Sequence, residues 1–307
     1  MLNLLIIILV CIMILIGVSI FYKKYEGYNR EKIDFVTIVY DNETELNLLK
    51  LQAHSFKFID RSLLNDIIIV YNDKNPSNFK KTFKRNILPF YPRNFQHKVK
   101  IITLEDLNIK LESSWNSQQI VKLEISKLIQ SEYYVMLDAK NHFIRKVNYR
   151  TFFKNGKPAI FLNNPGKMIR YYYNCLDYFE AQDPFNYKKT GKGNEILLTT
   201  TPYLFHTEDV KDLLKFIENK EKTPFPIFFQ QNKHLTEFYL YSTYLIYTNK
   251  IKNCWMCPSI CKILYGEINR AEVEGRIKQC LLNTNIKCFG LHREFVKDVS
   301  EAQAEEI

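Results

Sequence analysis

The sequence has no lysine- or arginine-rich run, no RNA-binding motif and no zinc-finger spacing. Its net charge of +10 therefore does not by itself point to nucleic acid. A cysteine–histidine hydrolase signature is also missing. Nothing repeats, and no low-complexity linker splits the chain after residue 33, so a single large domain is expected there. Glycine is scarce, with 9 residues against 22 Phe and 20 Tyr. That usage, rich in Lys, Asn and Ile, reflects an AT-rich genome and weakens the charge further as a sign of a partner. A basic surface suits anionic lipid or a nucleotide diphosphate as well as it suits nucleic acid. What remains, 46% hydrophobic and 25% charged, is the composition of a packed globular core.

Charge is absent from Leu4 to Phe21, which is nearly all Leu, Ile, Val and Met. About 18 such residues span roughly 27 Å as a helix, the lower range of a transmembrane segment. A cleaved signal peptide is disfavoured. No Lys or Arg precedes the run, and no small-residue cleavage site precedes Phe21-Tyr22-Lys23-Lys24. Residues 1–22 are therefore expected to be an uncleaved, single-pass anchor. Lys23, Lys24, Arg30 and Lys32 all follow the span, so the positive-inside rule places the C-terminal part in the cytosol, with a lumenal orientation second. Residues 23–32 read as a polar stalk and 298–307 as an acidic tail.

Between them, residues 33–297 alternate apolar strands with helices. Ile33–Tyr40, Ile67–Tyr71, Val99–Ile102 and Tyr133–Leu137 are mostly apolar runs without regular alternation, which indicate strands buried on both faces. Asp41-Asn42-Glu43-Thr44 can cap a helix through Leu51, and Gln118 to Ile129 reads as another helix. Strands are further expected at 159–162, 195–200 and 287–292, and helices from Thr207 and over Leu235–Tyr247. The expected fold is α/β: a mostly parallel mixed sheet flanked by helices, Rossmann-like, preceded by one N-terminal transmembrane helix.

The fourth apolar run ends on Asp138, followed at once by Ala139-Lys140-Asn141-His142-Phe143. A carboxylate at the C-terminal tip of a buried strand is where open α/β sheets bind ligands. The other reading of Asp138 is a turn residue that caps the next segment.

Several strings, in order, carry a resemblance. They are Asp34-Phe35-Val36-Thr37, Trp115-Asn116-Ser117-Gln118-Gln119-Ile120-Val121-Lys122-Leu123 and Leu137-Asp138-Ala139-Lys140-Asn141-His142-Phe143. Thr201-Pro202-Tyr203, Thr236-Glu237-Phe238-Tyr239-Leu240-Tyr241 and Gly290-Leu291-His292-Arg293 follow. Together they resemble a family of glycosyltransferase-like proteins of the A-type (GT-A) fold from microbes and large viruses. The resemblance covers nearly all of the chain after residue 33. It implies a transferase that uses a nucleotide-sugar donor on a glycan, lipid-linked or protein acceptor. A-type glycosyltransferases hold metal and sugar nucleotide with an Asp-x-Asp at such a strand end. Here the string is Asp138-Ala139-Lys140, so a lysine replaces the second carboxylate.

Sugar transfer builds negative charge on the leaving diphosphate, which the protein must neutralise while positioning an acceptor hydroxyl. Manganese or magnesium held by carboxylates is the common device. Asp138 is the expected ligand or donor-holding residue. Lys140 cannot ligate a metal while charged, but it can meet the diphosphate directly, which makes the metal optional. Asn141 and His142 offer further donor atoms. His292 stands where several A-type transferases supply a late histidine, and Arg293 can grip phosphate in bidentate fashion. Glu237 is the candidate general base if the reaction inverts the anomeric centre; a solvated helix-face glutamate is the bland alternative. Gln118 and Lys122, four apart on one helix, share a face that can reach donor or acceptor. Trp115 offers a ring for stacking, although burial is the commoner fate of so large an aromatic.

Cys254-x-x-Cys257-x-x-x-Cys261 has one close pair, but Cys280 and Cys288 are too widely spaced for a zinc knuckle. Ordinary buried or loop cysteines are the better reading. Two functions remain: a membrane-anchored glycosyltransferase with no nucleic-acid partner, or a non-catalytic, membrane-tethered binding protein that keeps the fold. Lys140 in place of a carboxylate favours the second.

Overall fold

The structure is a computed structural model, and it describes residues 12, 13, 15, 32–110, 114–164, 168–185, 196–197, 199–264 and 270–291. The expected anchor and stalk lie outside the described residues, except that Ile12, Met13 and Leu15 are helical. Among the described residues no helix is long and apolar enough to cross a membrane.

Strand β1 (Ile33–Val39) leads into α1 (Glu43–Ser55), then β2 (Leu64–Tyr71), α2 (Pro76–Asn86), β3 (Val99–Thr103), α3 (Trp115–Glu124) and β4 (Tyr133–Asp138). This half follows the apolar runs. All seven residues of β1 are buried, as expected of a strand covered on both faces. The side chain of Asn42 accepts from the Glu45 amide and starts α1. Ser114 and Ser117 form a capping box at α3. That cap starts α3 at Trp115, earlier than apolar periodicity alone suggests, and α3 tightens into a 3₁₀ turn over Ile125–Lys127.

The second half runs β5 (Asn141–Phe143), α4 (Tyr149–Phe152), β6 (Phe153–Lys154), β7 (Lys157–Asn163), α5 (Ile169–Phe179), β8 (Ile196–Leu197) and β9 (Tyr203–His206). Helices α6 (Thr207–Glu221), α7 (Phe225–Gln231) and α8 (Glu237–Tyr247) follow. Strands β10 (Trp255–Pro258) and β11 (Cys261–Leu264), helix α9 (Arg270–Leu282) and strand β12 (Cys288–Leu291) complete the described chain.

The fold is a mixed α/β arrangement. The five-stranded sheet has the order β3-β2-β1-β4-β9, with the first four strands parallel and β9 antiparallel to β4. A second sheet, β10-β7-β6 with β8 on β7, and a third, β11-β12-β5, each combine both senses. The expectation of a mostly parallel sheet is thus corrected: the sheets are mixed. One cause is local. Asn155 and Gly156 both have positive φ, 53° and 73°, which closes a tight β6–β7 hairpin that only antiparallel strands can share. One buried apolar cluster extends from Ile33 to Phe289 through all three sheets.

This architecture brings the C-terminal ends of four parallel strands to one edge. Strand β4 lies inside the sheet, between β1 and β9, and Ile38 pairs with Asp138. Asn72 and Asp73 leave β2 on the same side, and Thr103 ends β3 there.

Candidate functional site

Asp138 leaves β4 into a turn that folds back as β5. The Asn141 side chain accepts the Asp138 backbone N–H at 2.7 Å, which fixes the turn. From below, the Gln52 amide donates to the Asp138 carbonyl at 2.7 Å, and Thr37 donates to Gln52 at 2.8 Å. The backbone that presents the carboxylate is therefore held from α1, β1 and β5 together.

The carboxylate itself sits between two ammonium groups. Lys140 Nζ is 2.7 Å from Asp138 Oδ2, and Lys122 Nζ is 3.7 Å from Oδ1. Lys122 also donates to Glu237 Oε1 at 2.9 Å and lies over the Phe238 ring, 4.6 Å from its centroid. The result is a chain of alternating charge, Lys140–Asp138–Lys122–Glu237, drawn from β4, the turn after it, α3 and α8. Exposure divides it into two layers. The side chains of Asp138 and Lys140 are 28% and 20% exposed, whereas those of Lys122 and Glu237 are 10% and 5%. A ligand can reach the first pair; the second pair is sealed beneath it.

Burial works against charge on Asp138. The Lys140 and Lys122 ammoniums and the nearby Thr201 hydroxyl outweigh it and hold the carboxyl well below the usual range. Burial likewise pulls Lys122 down, but Glu237 and Asp138 more than restore it, so its ammonium titrates above the ordinary lysine value. Asp138 and Lys122 are thus both held in their charged forms.

The other expected site residues fall unevenly. Gln118 is half-buried one turn before Lys122 on α3 and makes no hydrogen bond to the cluster. Trp115, expected to be buried, is instead 61% exposed at the start of the same helix. His292 and Arg293 lie outside the described residues. Glu237, read from the sequence as base or surface residue, is the buried counterion of Lys122. Cys254, Cys257 and Cys261 are free thiols, and no group of three or more metal-ligating side chains occurs among the described residues. Sequence reading did not single out Gln52, and it named Thr201 only within the Thr201-Pro202-Tyr203 string, with no role. Gln52 left a signal: it is a lone amide on the apolar stripe of α1, with Leu48, Leu49 and Ala53 buried around it. The place of Thr201 beside Asp138 was not readable, because only the fold brings its loop there.

The described donor atoms do not fit a divalent cation. Both Asp138 oxygens face ammonium groups, and Asn141 Oδ1 is taken by the Asp138 amide. His142 Nε2 sits 3.3 Å from the Leu48 carbonyl, turned into the core.

His142 carries a pH dependence. Burial pushes its pKa down to about 4, from an unfolded value of about 6.5. A depressed histidine contributes stability that is fully present above the unfolded pKa and is lost as pH falls towards the folded one. Between about pH 6.5 and 4 the loss should approach 3 kcal/mol. His206 acts oppositely: its hydrogen bond to Asp209 outweighs burial and raises its pKa, so its contribution is present at low pH and lost as pH rises. Denaturant melts of wild type and His142→Asn, differenced at each pH, isolate the first effect. The difference should shrink steadily below pH 6.5; a constant difference rules out a buried neutral His142.

No curated protein matches the sequence. Residues 19–300 match the Family of unknown function (DUF6492), and the chain belongs to that family.

Proposed function

We propose that the edge around Asp138 is the donor site of a glycosyltransferase, which moves a sugar from a nucleotide-sugar donor to a glycan, lipid-linked or protein acceptor. In this reading the apolar N-terminal segment anchors the enzyme in a membrane, with the domain on the cytosolic side. The observation that carries the proposal is the Asp138 carboxylate held between Lys140 and Lys122 at the tip of an interior parallel strand.

The chemistry follows from that placement. Transfer breaks the bond between the anomeric carbon and the diphosphate oxygen while an acceptor oxygen forms the new bond. The anomeric carbon becomes cationic and the diphosphate gains charge. Before a ligand arrives the four-ion chain is charge-balanced. A diphosphate therefore gains by drawing Lys140 from Asp138, which keeps Lys122 as its partner. Lys140 then supplies the positive charge that the leaving group needs, as a point charge on a flexible stem. Asp138 holds Lys140 aimed, at 2.7 Å, until that exchange. Glu237 holds Lys122 ionised; its burial makes it a positioning residue rather than the base that deprotonates the acceptor. Trp115, Gln118 and Lys122 stand at i, i+3 and i+7 of α3, hence on one face, and the exposed indole suits stacking on a sugar ring. A cavity of about 170 Å³ on the same edge, lined by Asp73, Lys74, Thr103, Glu105, Ile109 and Lys110, offers space for the nucleoside.

A second reading is favoured by the same ion pairs. With Asp138 and Glu237 both neutralised by lysines, the protein would bind an anionic ligand without turning it over. Hydrolysis of a panel of nucleotide sugars by the full-length protein separates the two. Release of nucleoside diphosphate from at least one donor is the expected result. Binding without release from every donor supports the non-catalytic reading, and no binding at all removes both.

A further inference from the structure

We propose that Cys261 and Cys288 form a redox site, a dithiol that a small-molecule disulfide converts into an intrachain disulfide. The proposal is independent of what binds at Asp138. Strands β11 and β12 run parallel with Cys261 and Cys288 as direct partners. Directly opposed residues project to the same face of a sheet, and neighbouring strands lie ~4.8 Å apart. That separation falls within the ~4.4–6.8 Å between α-carbons that a disulfide spans. Both thiols are reduced in the structure.

Their surroundings differ in a way that assigns roles. Cys261 is half-buried, so a reagent can reach it, and the Asn141 amide donates to its sulfur at 3.8 Å. Cys288 is wholly buried, and burial pushes its thiol up. Cys261 is thus the attacking sulfur and Cys288 the resolving one. The Cys261 thiolate attacks one sulfur of the reagent, forms a mixed disulfide and expels one thiolate. Cys288 then loses its proton and attacks the Cys261 sulfur, expelling the second. Two protein thiols and one disulfide become one protein disulfide and two small thiols. Two electrons pass to the reagent, and the two protons end on the released thiols. Cys288 needs no access to solvent, because its only target is Cys261. The nearest competitor is Cys280, buried on α9 close enough to influence the local charge, but not paired in register with either strand.

The site also adjoins the Asp138 turn. The Asn141 side chain that touches Cys261 is the one that accepts the Asp138 amide, so oxidation closes a covalent link beside that turn.

The test uses the reduced full-length protein and oxidised glutathione. After acid quenching, free thiols are alkylated under denaturing conditions and peptides are mapped by mass. The expected result is concerted loss of two alkylatable thiols, a linked Cys261–Cys288 peptide pair, and full recovery with dithiothreitol. Cys288→Ala should instead stop at a glutathione adduct on Cys261, and Cys280→Ser should leave the linkage intact. Three results overturn the proposal: both thiols stay alkylatable, Cys261 links to Cys280, or a glutathione adduct persists on Cys261 in wild type. The wild-type map decides even if a variant does not fold.

Discussion

Glu237→Ala is expected to destabilise the protein by about 3–5 kcal/mol, because it leaves the Lys122 ammonium buried with its nearest counterion gone. The low end applies if Lys122 can close the 3.7 Å gap to Asp138. Removing both buried ions restores most of the loss. Lys122→Met with Glu237→Leu replaces the pair by apolar groups of similar volume, against Phe238, and such exchanges are often neutral. Urea unfolding of wild type, Glu237→Ala and the double variant measures this. A loss below about 1 kcal/mol in Glu237→Ala would show that Lys122 is not dependent on that carboxylate. A double variant as unstable as the single one would show that the pair matters for more than its charge.

The second large effect concerns turnover. Asp138→Asn keeps the shape of the turn and removes the charge that orients Lys140, so donor turnover is expected to disappear. Lys140→Ala removes the group that meets the diphosphate. A charge-assisted contact of this kind contributes about 1.5–3 kcal/mol, so the loss should be roughly tenfold to a hundredfold. Lys140→Asp rebuilds an Asp-x-Asp pair with Asp138, and any recovery should require manganese. Initial rates for the three variants, each with and without manganese, check these expectations. Undiminished turnover in Asp138→Asn ends the assignment of the site.

Most of the first half of the fold was legible because each strand holds a mostly apolar run and the helices α1 and α3 carry side-chain caps; α2 was not read. The strand end at Asp138 was legible for the same reason, as a carboxylate closing such a run. The second half shows β7 and β12, expected at 159–162 and 287–292, but hides several other strands. Strand β5 is three residues long and polar in part, and β9, β10 and β11 have four each, too short for any period to declare itself. The Asn155-Gly156 hairpin turn was the one strong local signal there, and it explains much of the antiparallel pairing around β7. The site shows the same division. Asp138 and Lys140 are two residues apart in sequence and were readable together. Lys122 meets Glu237 across 115 positions, so only the packing of α3 against α8 reveals that the candidate base is a counterion. Trp115 shows the converse: side-chain size alone suggested burial, yet the cap at Ser114 places it on the open first turn of α3.

The most direct measurement is a calorimetric titration of nucleoside diphosphates into the full-length protein, in chelator and again with manganese. The account predicts that at least one diphosphate binds in chelator, that Lys140→Ala weakens this binding tenfold to a hundredfold, and that manganese does not repair the variant. Binding that requires manganese and is indifferent to Lys140→Ala would contradict it, because the charge on the diphosphate would then be met by a metal rather than by this lysine.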